Sequence, residues 1–87
     1  MDIVELLSLR ATRKILNELQ EKGAARYSEL VKVVGHSTMT TRALKRMEQL
    51  RIVRRRVLDE PHRPVEYSLT ENGERLATLV RDSGALD

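Results

Sequence analysis

The stretch RPVEYSLTENG, from Arg63 to Gly73, changes its hydrophobic period midway, and that change decides the fold. Val65, Tyr67 and Leu69 alternate with Glu66 and Ser68, which is the period-two pattern of a strand with one buried face; Pro64 is tolerated at a strand start or edge. From Thr70 onward the period is helical. Thr70 is a good N-cap, and Glu71 and Glu74 place negative charge in the first turn, where the helix dipole favours it. Leu76, Leu79 and Val80 then continue at helical spacing. A strand therefore runs directly into a capped helix.

Working outward, IVRRRVL from Ile52 to Leu58 is a second β-rich run, joined to the first by Asp59 to Pro64, a segment that holds both prolines of the chain. The pair predicts a hairpin with a charged tip. Before it, the pattern predicts a helix from about Ser37 to Leu50 and a shorter one that Ser28 opens and Gly35 closes. Ala24 to Tyr27 is expected as a short third strand. Ala11, Thr12, Ile15, Leu16 and Leu19 share one face of a helix from Leu9 to Lys22, while Ile3, Val4, Leu6 and Leu7 are expected to form a separate apolar turn or helix before Ser8. Helix, tight turn, helix and two-stranded ribbon is the order of a winged helix-turn-helix. The expected fold class is α+β, mainly α: a three-helix core, a two- to three-stranded wing and a C-terminal helix. Residues 1–87 are read as one domain with its core at about 9–80, and the residues from Asp82 onward are expected to fray.

Four segments in this order, RYSELVKVVG, STMTTRALKRMEQL, IVRRRVL and RPVEYSLTENG, resemble the winged-helix transcription regulators of the MarR, PadR and HxlR types. The resemblance covers roughly residues 9 to 80 and rests on the combination of motifs. These are a YSELV-like helix start, a wing with arginine, proline, two residues and tyrosine, and an entry to the last helix with leucine, threonine, two residues and glycine. It implies a compact prokaryotic regulator, with Arg63 at the position of the family's wing arginine. A fold alone does not fix a function, so the residues must carry the rest.

Composition narrows the choices. The chain has no cysteine, phenylalanine or tryptophan, so disulfides, thiol redox switches and thiolate zinc sites are excluded, and the core must be aliphatic with Tyr27 and Tyr67 as its aromatic fillers. Stacking of single-stranded bases on an aromatic platform is not expected. No apolar run approaches the roughly 20 residues of a membrane span, and the amino terminus lacks the pattern of a signal peptide, so a cytoplasmic location is expected. His36 and His62 fall in separate loops without metal-ligand spacing, and no catalytic or phosphate-cradling motif is present. No enzyme activity, metal, cofactor or membrane partner is expected, and the residues specify no small-molecule effector.

Charge is segregated. Between His36 and Arg63 there are eight basic and three acidic residues, a net of +5 in a chain of +3 overall, which favours a polyanionic partner. Advancing about 100° per residue along the helix at about 37–50 places Met39, Thr40, Ala43, Leu44, Met47 and Leu50 toward the core. The opposite side carries Thr38, Arg42, Lys45 and Gln49, with Thr41 and Arg46 at its margins and Ser37 at the helix start. Arginine and lysine suit guanine O6 and N7, glutamine suits adenine, and threonine suits a phosphate or a thymine methyl, so this face is expected in a major groove. An ordinary solvent face would mix in more glutamate.

In the hairpin, Arg54 and Arg56 share one face, whereas Arg55 falls on the face of Val53 and Val57. The three adjacent arginines cannot all be neutralised by local carboxylates, so phosphate oxygens are expected as partners, with Arg54 and Arg56 in the expected DNA-binding set; Arg63 is expected to enter the minor groove or, alternatively, to pair with Asp59 or Glu60. Ile3, Val4 and Leu7 at one end, with Leu76, Leu79 and Val80 at the other, offer more apolar surface than a small core needs and are expected to form a homodimer interface. The expected function is sequence-specific binding of double-stranded DNA by a homodimeric transcription regulator. The rivals are a winged-helix protein-interaction module of a larger assembly and a non-specific DNA-coating protein.

Overall fold

The computed structural model describes residues 3–83, without the side chains of Ile3, Val4, Leu6 and Leu7. The elements run α1 (Ile3–Lys22), β1 (Ala24–Arg26), α2 (Tyr27–Val34), α3 (Ser37–Gln49), β2 (Val53–Val57), β3 (Val65–Leu69) and α4 (Glu71–Asp82). This is the mainly α winged helix-turn-helix that the sequence predicts. The strands form an antiparallel sheet with β3 in the centre, so the third strand expected at Ala24 is present. Val53, Arg55 and Val57 of β2 stand opposite Leu69, Tyr67 and Val65 of β3, and Ala25 of β1 stands opposite Tyr67 on the other side.

Ile15, Leu19, Leu30, Leu44 and Met47 are fully buried where α1, α2 and α3 meet, with Ala11, Leu16, Ala25, Ala43, Val53, Leu69 and Ala77 completing the core. Thr40 is equally buried, and its hydroxyl donates to the His36 carbonyl at 2.8 Å, which satisfies the polar group the core would otherwise penalise. The α2–α3 turn depends on Gly35, whose left-handed φ of 85° lets its N–H reach the Val31 carbonyl at 2.7 Å. At the start of α3 the His36 Nδ1 accepts from the Met39 N–H at 3.3 Å.

Three expectations change. First, α1 is continuous through Ser8, whose propensity cost of less than about 0.7 kcal/mol does not stop a helix; the Thr12 hydroxyl back-bonds to the Ser8 carbonyl at 2.9 Å. Second, α2 opens at Tyr27 rather than Ser28, because Glu29 Oε1 accepts from the Arg26 N–H at 2.9 Å and so caps the helix one residue earlier. Third, Leu50 is 57 % exposed and not in the core. The chain leaves α3 through Arg51 at φ 59°, with Arg51 N–H donating to Glu48 O at 3.0 Å and Ile52 N–H to Met47 O at 2.8 Å. That is a Schellman motif with arginine at the usual glycine position, and it brings Ile52 onto the core in place of Leu50.

The same corner anchors α4. Thr70 N–H donates to the Ile52 carbonyl at 3.0 Å, the Thr70 hydroxyl donates to the Arg51 carbonyl at 2.6 Å, and its oxygen accepts from Gly73 N–H at 3.1 Å. Gly73 is buried against the Ile52 carbonyl, with no room for a Cβ. The threonine-to-glycine motif is therefore a joint that holds the wing to the last helix.

Candidate nucleic-acid interface

With Thr40, Ala43, Leu44 and Met47 fixed in the core, the rotation of α3 is set, and Ser37, Thr38, Thr41, Arg42, Lys45, Arg46 and Gln49 are all exposed. Helical periodicity thus separates the two faces as the sequence predicts. Ser37, Thr38, Thr41, Arg42 and Lys45 line a shallow depression of about 410 Å³ on this surface. Thr41 is not free: its Oγ1 lies 2.6 Å from the Tyr27 hydroxyl, which spans from the start of α2 to the exposed face of α3.

Among the described residues, the ion pairs are Glu18–Lys22, Arg26–Glu60, Glu71–Arg75 and Arg81–Asp82. None of these uses a cation of α3 or β2. Arg26 engages both carboxylate oxygens of Glu60, at 2.9 and 3.0 Å, and so ties the wing tip to the N-cap of α2. Both contacts come from the one Nη2 nitrogen, and with both partners exposed the pair stabilises by no more than about 1 kcal/mol.

The wing tip is a turn closed by Arg63 N–H to Glu60 O at 2.9 Å, with Pro61 at its second position and His62 at φ 67° at its third. Arg63 is exposed, with φ 45°. Glu60 is committed to Arg26, so the alternative of an Arg63–Glu60 pair is not formed, and none with Asp59 occurs among the described residues.

The strand register separates the three adjacent arginines. Arg54 and Arg56, opposite Ser68 and Glu66, lie on the sheet face turned away from Val53 and Tyr67. Arg55 lies on the inner face, opposite Tyr67. There it borders a groove of about 600 Å³ between α3 and the sheet. Thr41, Lys45, Glu48 and Gln49 of α3 line this groove together with Tyr27, Arg55 and Tyr67. Tyr67 is only 7 % exposed, and burial raises its pKa above the ordinary 10.0; the Arg55 guanidinium beside it acts in the opposite sense. The phenol is thus a hydrogen-bond donor at neutral pH.

Tyr27 joins this surface without a signal in the sequence that assigns it there, and Arg55 borders the groove on the face that alternation predicts. Alternation placed Arg55 with Val53 and Val57, but only Val53 of β2 is buried, so beyond it the inner face looks into the groove and not the core.

At the chain ends, Leu79 is 67 % exposed, whereas Leu76 and Val80 are half-buried and pack against the monomer core. The side chains of Ile3, Val4 and Leu7 lie outside the described residues. The Gln20 Nε2 donates to Thr78 Oγ1 at 3.1 Å and joins α4 to α1. No metal-binding cluster occurs among the described residues, and no helix there is long and apolar enough to cross a membrane.

A basic, groove-sized helix face beside a wing defines a helix-turn-helix protein of the DNA-binding transcription-regulator class. The chain belongs to the HxlR-like helix-turn-helix family, whose profile matches residues 6–84. It is similar to the diamide-treated YodB of B. subtilis, with 30 % identity and a TM-score of 0.69 over 82 % of this chain and 72 % of that one. The reduced form of that transcriptional regulator gives 29 % identity and a TM-score of 0.68, covering 84 % of this chain and 74 % of that one. The fold is shared with a putative MarR-family transcriptional regulator of Enterococcus faecalis, at 23 % identity and a TM-score of 0.71, over 98 % of this chain and 84 % of that one. No curated protein sequence matches the chain.

Proposed function

We propose that the protein binds double-stranded DNA sequence-specifically as a homodimeric, cytoplasmic transcription regulator of a prokaryote. The observation that carries this reading is the exposed side of α3. Thr38, Arg42, Lys45 and Gln49 lie together there, and none of its cations has an ion-pair partner among the described residues. Elsewhere carboxylates pair with Lys22, Arg26, Arg75 and Arg81, and the segment between His36 and Arg63 carries a net +5 in a chain of +3, so positive charge is concentrated on α3 and the wing.

In this reading α3 enters the major groove, with Arg42 and Gln49 toward base edges and Ser37, Thr38, Thr41 and Arg46 supporting contacts to bases and backbone. Arg54 and Arg56 give sequence-tolerant affinity through phosphates, and Arg63 at the tip enters the minor groove. A dimer through the chain ends, with Leu79 as its exposed anchor and Ile3, Val4, Leu7, Leu76 and Val80 around it, sets two α3 helices roughly 34 Å apart, one turn of DNA, on an imperfect palindrome.

Competition of a labelled selected duplex against excess random duplex tests the proposal. Retention of the labelled complex supports specific binding, equal displacement by random duplex supports a coating protein, and no complex at all supports a protein-interaction module.

A further inference from the structure

We propose that Glu60 is a positioning residue for DNA recognition: clasped by Arg26, it sets where the wing tip presents Arg63 relative to the exposed face of α3. This rests on the DNA-binding reading above. Glu60 is held at both ends. Its side-chain oxygens accept from Arg26 Nη2 at 2.9 and 3.0 Å, and its backbone carbonyl accepts from the Arg63 N–H at 2.9 Å. Arg26 stands opposite Glu66 in the strand register, yet its ion pair is with Glu60, so the guanidinium is committed to the tip. Tyr27 follows Arg26 directly, and its hydroxyl lies 2.6 Å from Thr41 Oγ1 on α3. One dipeptide at the start of α2 thus touches both elements, α3 through Tyr27 and the wing tip through Arg26.

The tip needs an outside hold. His62 and Arg63 are consecutive left-handed residues, at φ 67° and 45°, and neither is glycine. Such backbone persists only where its surroundings over-determine it. Within the hairpin, the bond from Leu58 N–H to Pro64 O at 2.8 Å closes the base of the loop, and the Arg26–Glu60 pair supplies a hold from the body of the fold. A tip fixed before binding loses less freedom on DNA. Stability does not account for the pair, since both partners are exposed. Charge and position make opposite predictions for Glu60: a carboxylate beside phosphates repels them, whereas a positioning carboxylate helps binding.

The test uses the full chain and four variants: Glu60→Ala, Arg63→Ala, the two together, and the reversed pair Arg26→Glu with Glu60→Arg. On a duplex that the parent binds, charge alone makes Glu60→Ala bind tighter. Positioning makes it bind weaker by about two- to tenfold, the cost of ordering one long side chain on binding. Preference for A·T over G·C pairs beneath the wing falls with it, as in Arg63→Ala. In the Arg63→Ala background the same substitution weakens binding no further. The reversed pair, with the parent's net charge, regains both affinity and preference. Equal or tighter binding by Glu60→Ala overturns the proposal. So does an equal loss with and without Arg63, or a reversed pair no better than Glu60→Ala.

Without DNA, backbone ¹⁵N relaxation is expected to show the amides of Glu60, His62 and Arg63 ordered in the parent, less ordered in Glu60→Ala and ordered again in the reversed pair. Unchanged order in Glu60→Ala overturns the clasp. If the parent binds no duplex, the functional reading fails separately, and relaxation alone decides the clasp: lost order supports it and unchanged order removes it.

Discussion

The Tyr27 hydroxyl lies 2.6 Å from Thr41 Oγ1, so the first residue of α2 reaches across to the exposed face of α3. The two helices of the helix-turn-helix are thus joined on their outer side as well as through the core. Tyr27→Phe removes this bond and leaves the ring in place. Because the pair is exposed, the loss is expected at the low end for a hydrogen bond, about 0.5 kcal/mol in urea unfolding. DNA affinity is expected to fall by more than stability does, since Thr41 loses its fixed orientation. Equal affinity for the two proteins would show that Thr41 does not depend on Tyr27.

Gly73 makes the joint between wing and α4 possible. A Cβ at this position would overlap the Ile52 carbonyl, a backbone atom held by Thr70, and would also come within 3.1 Å of Leu69 Cδ2. Gly73→Ala is expected to cost about 1 to 3 kcal/mol, the range for overpacking a core, despite alanine's better helix propensity. Chemical denaturation followed by circular dichroism measures it, and a variant as stable as the parent contradicts the packing described.

The Tyr67 phenol sets a pH limit. Its pKa is raised above 10.0, chiefly by burial, so the folded protein holds this proton more tightly than the unfolded chain does. The contribution to stability is full below the ordinary phenol value and is lost as pH rises through the folded one. Thermal unfolding of the parent is expected to decline more steeply above about pH 10 than that of Tyr67→Phe. Superimposable alkaline limbs in the two proteins would remove Tyr67 as the cause.

Leu79, at 67 % exposure, is the most exposed of the large apolar side chains among the described residues. If the chain ends form the dimer interface, Leu79→Glu is expected to convert a dimer into a 10.0 kDa monomer in sedimentation while leaving the helical signal unchanged. A parent protein that stays monomeric, both free and on DNA, rules the dimer out.

The parts of this fold legible in the sequence are those with a local chemical signal. Val65, Tyr67 and Leu69 alternate, Thr70 caps, and Gly35 ends α2, so strand, junction and turn could be placed directly. The polar side of α3 followed from its period. Leu50 was misplaced because its angle assumed that the helix continued, whereas the exit through Arg51 uses a left-handed arginine, and nothing in that residue type announces such a turn. Arg55 was assigned to the correct face, but its surroundings depend on where β2 leaves the core, a tertiary distance that alternation does not encode. Tyr27 reads as a core filler by composition. Its hydroxyl acquires a role only once α2 and α3 are packed together.

The central claim is that α3 reads sequence, and Arg42 is its most exposed commitment. Selection of bound duplexes from a random pool, run in parallel with the full chain and with Arg42→Ala, tests this most directly. The parent is expected to enrich a two-fold motif. The variant is expected to keep the same motif with preference relaxed at one base step in each half-site and to lose about 1 to 3 kcal/mol of affinity. A folded parent that enriches no sequence over the starting pool, or an Arg42→Ala protein with an unchanged motif and affinity, would contradict it.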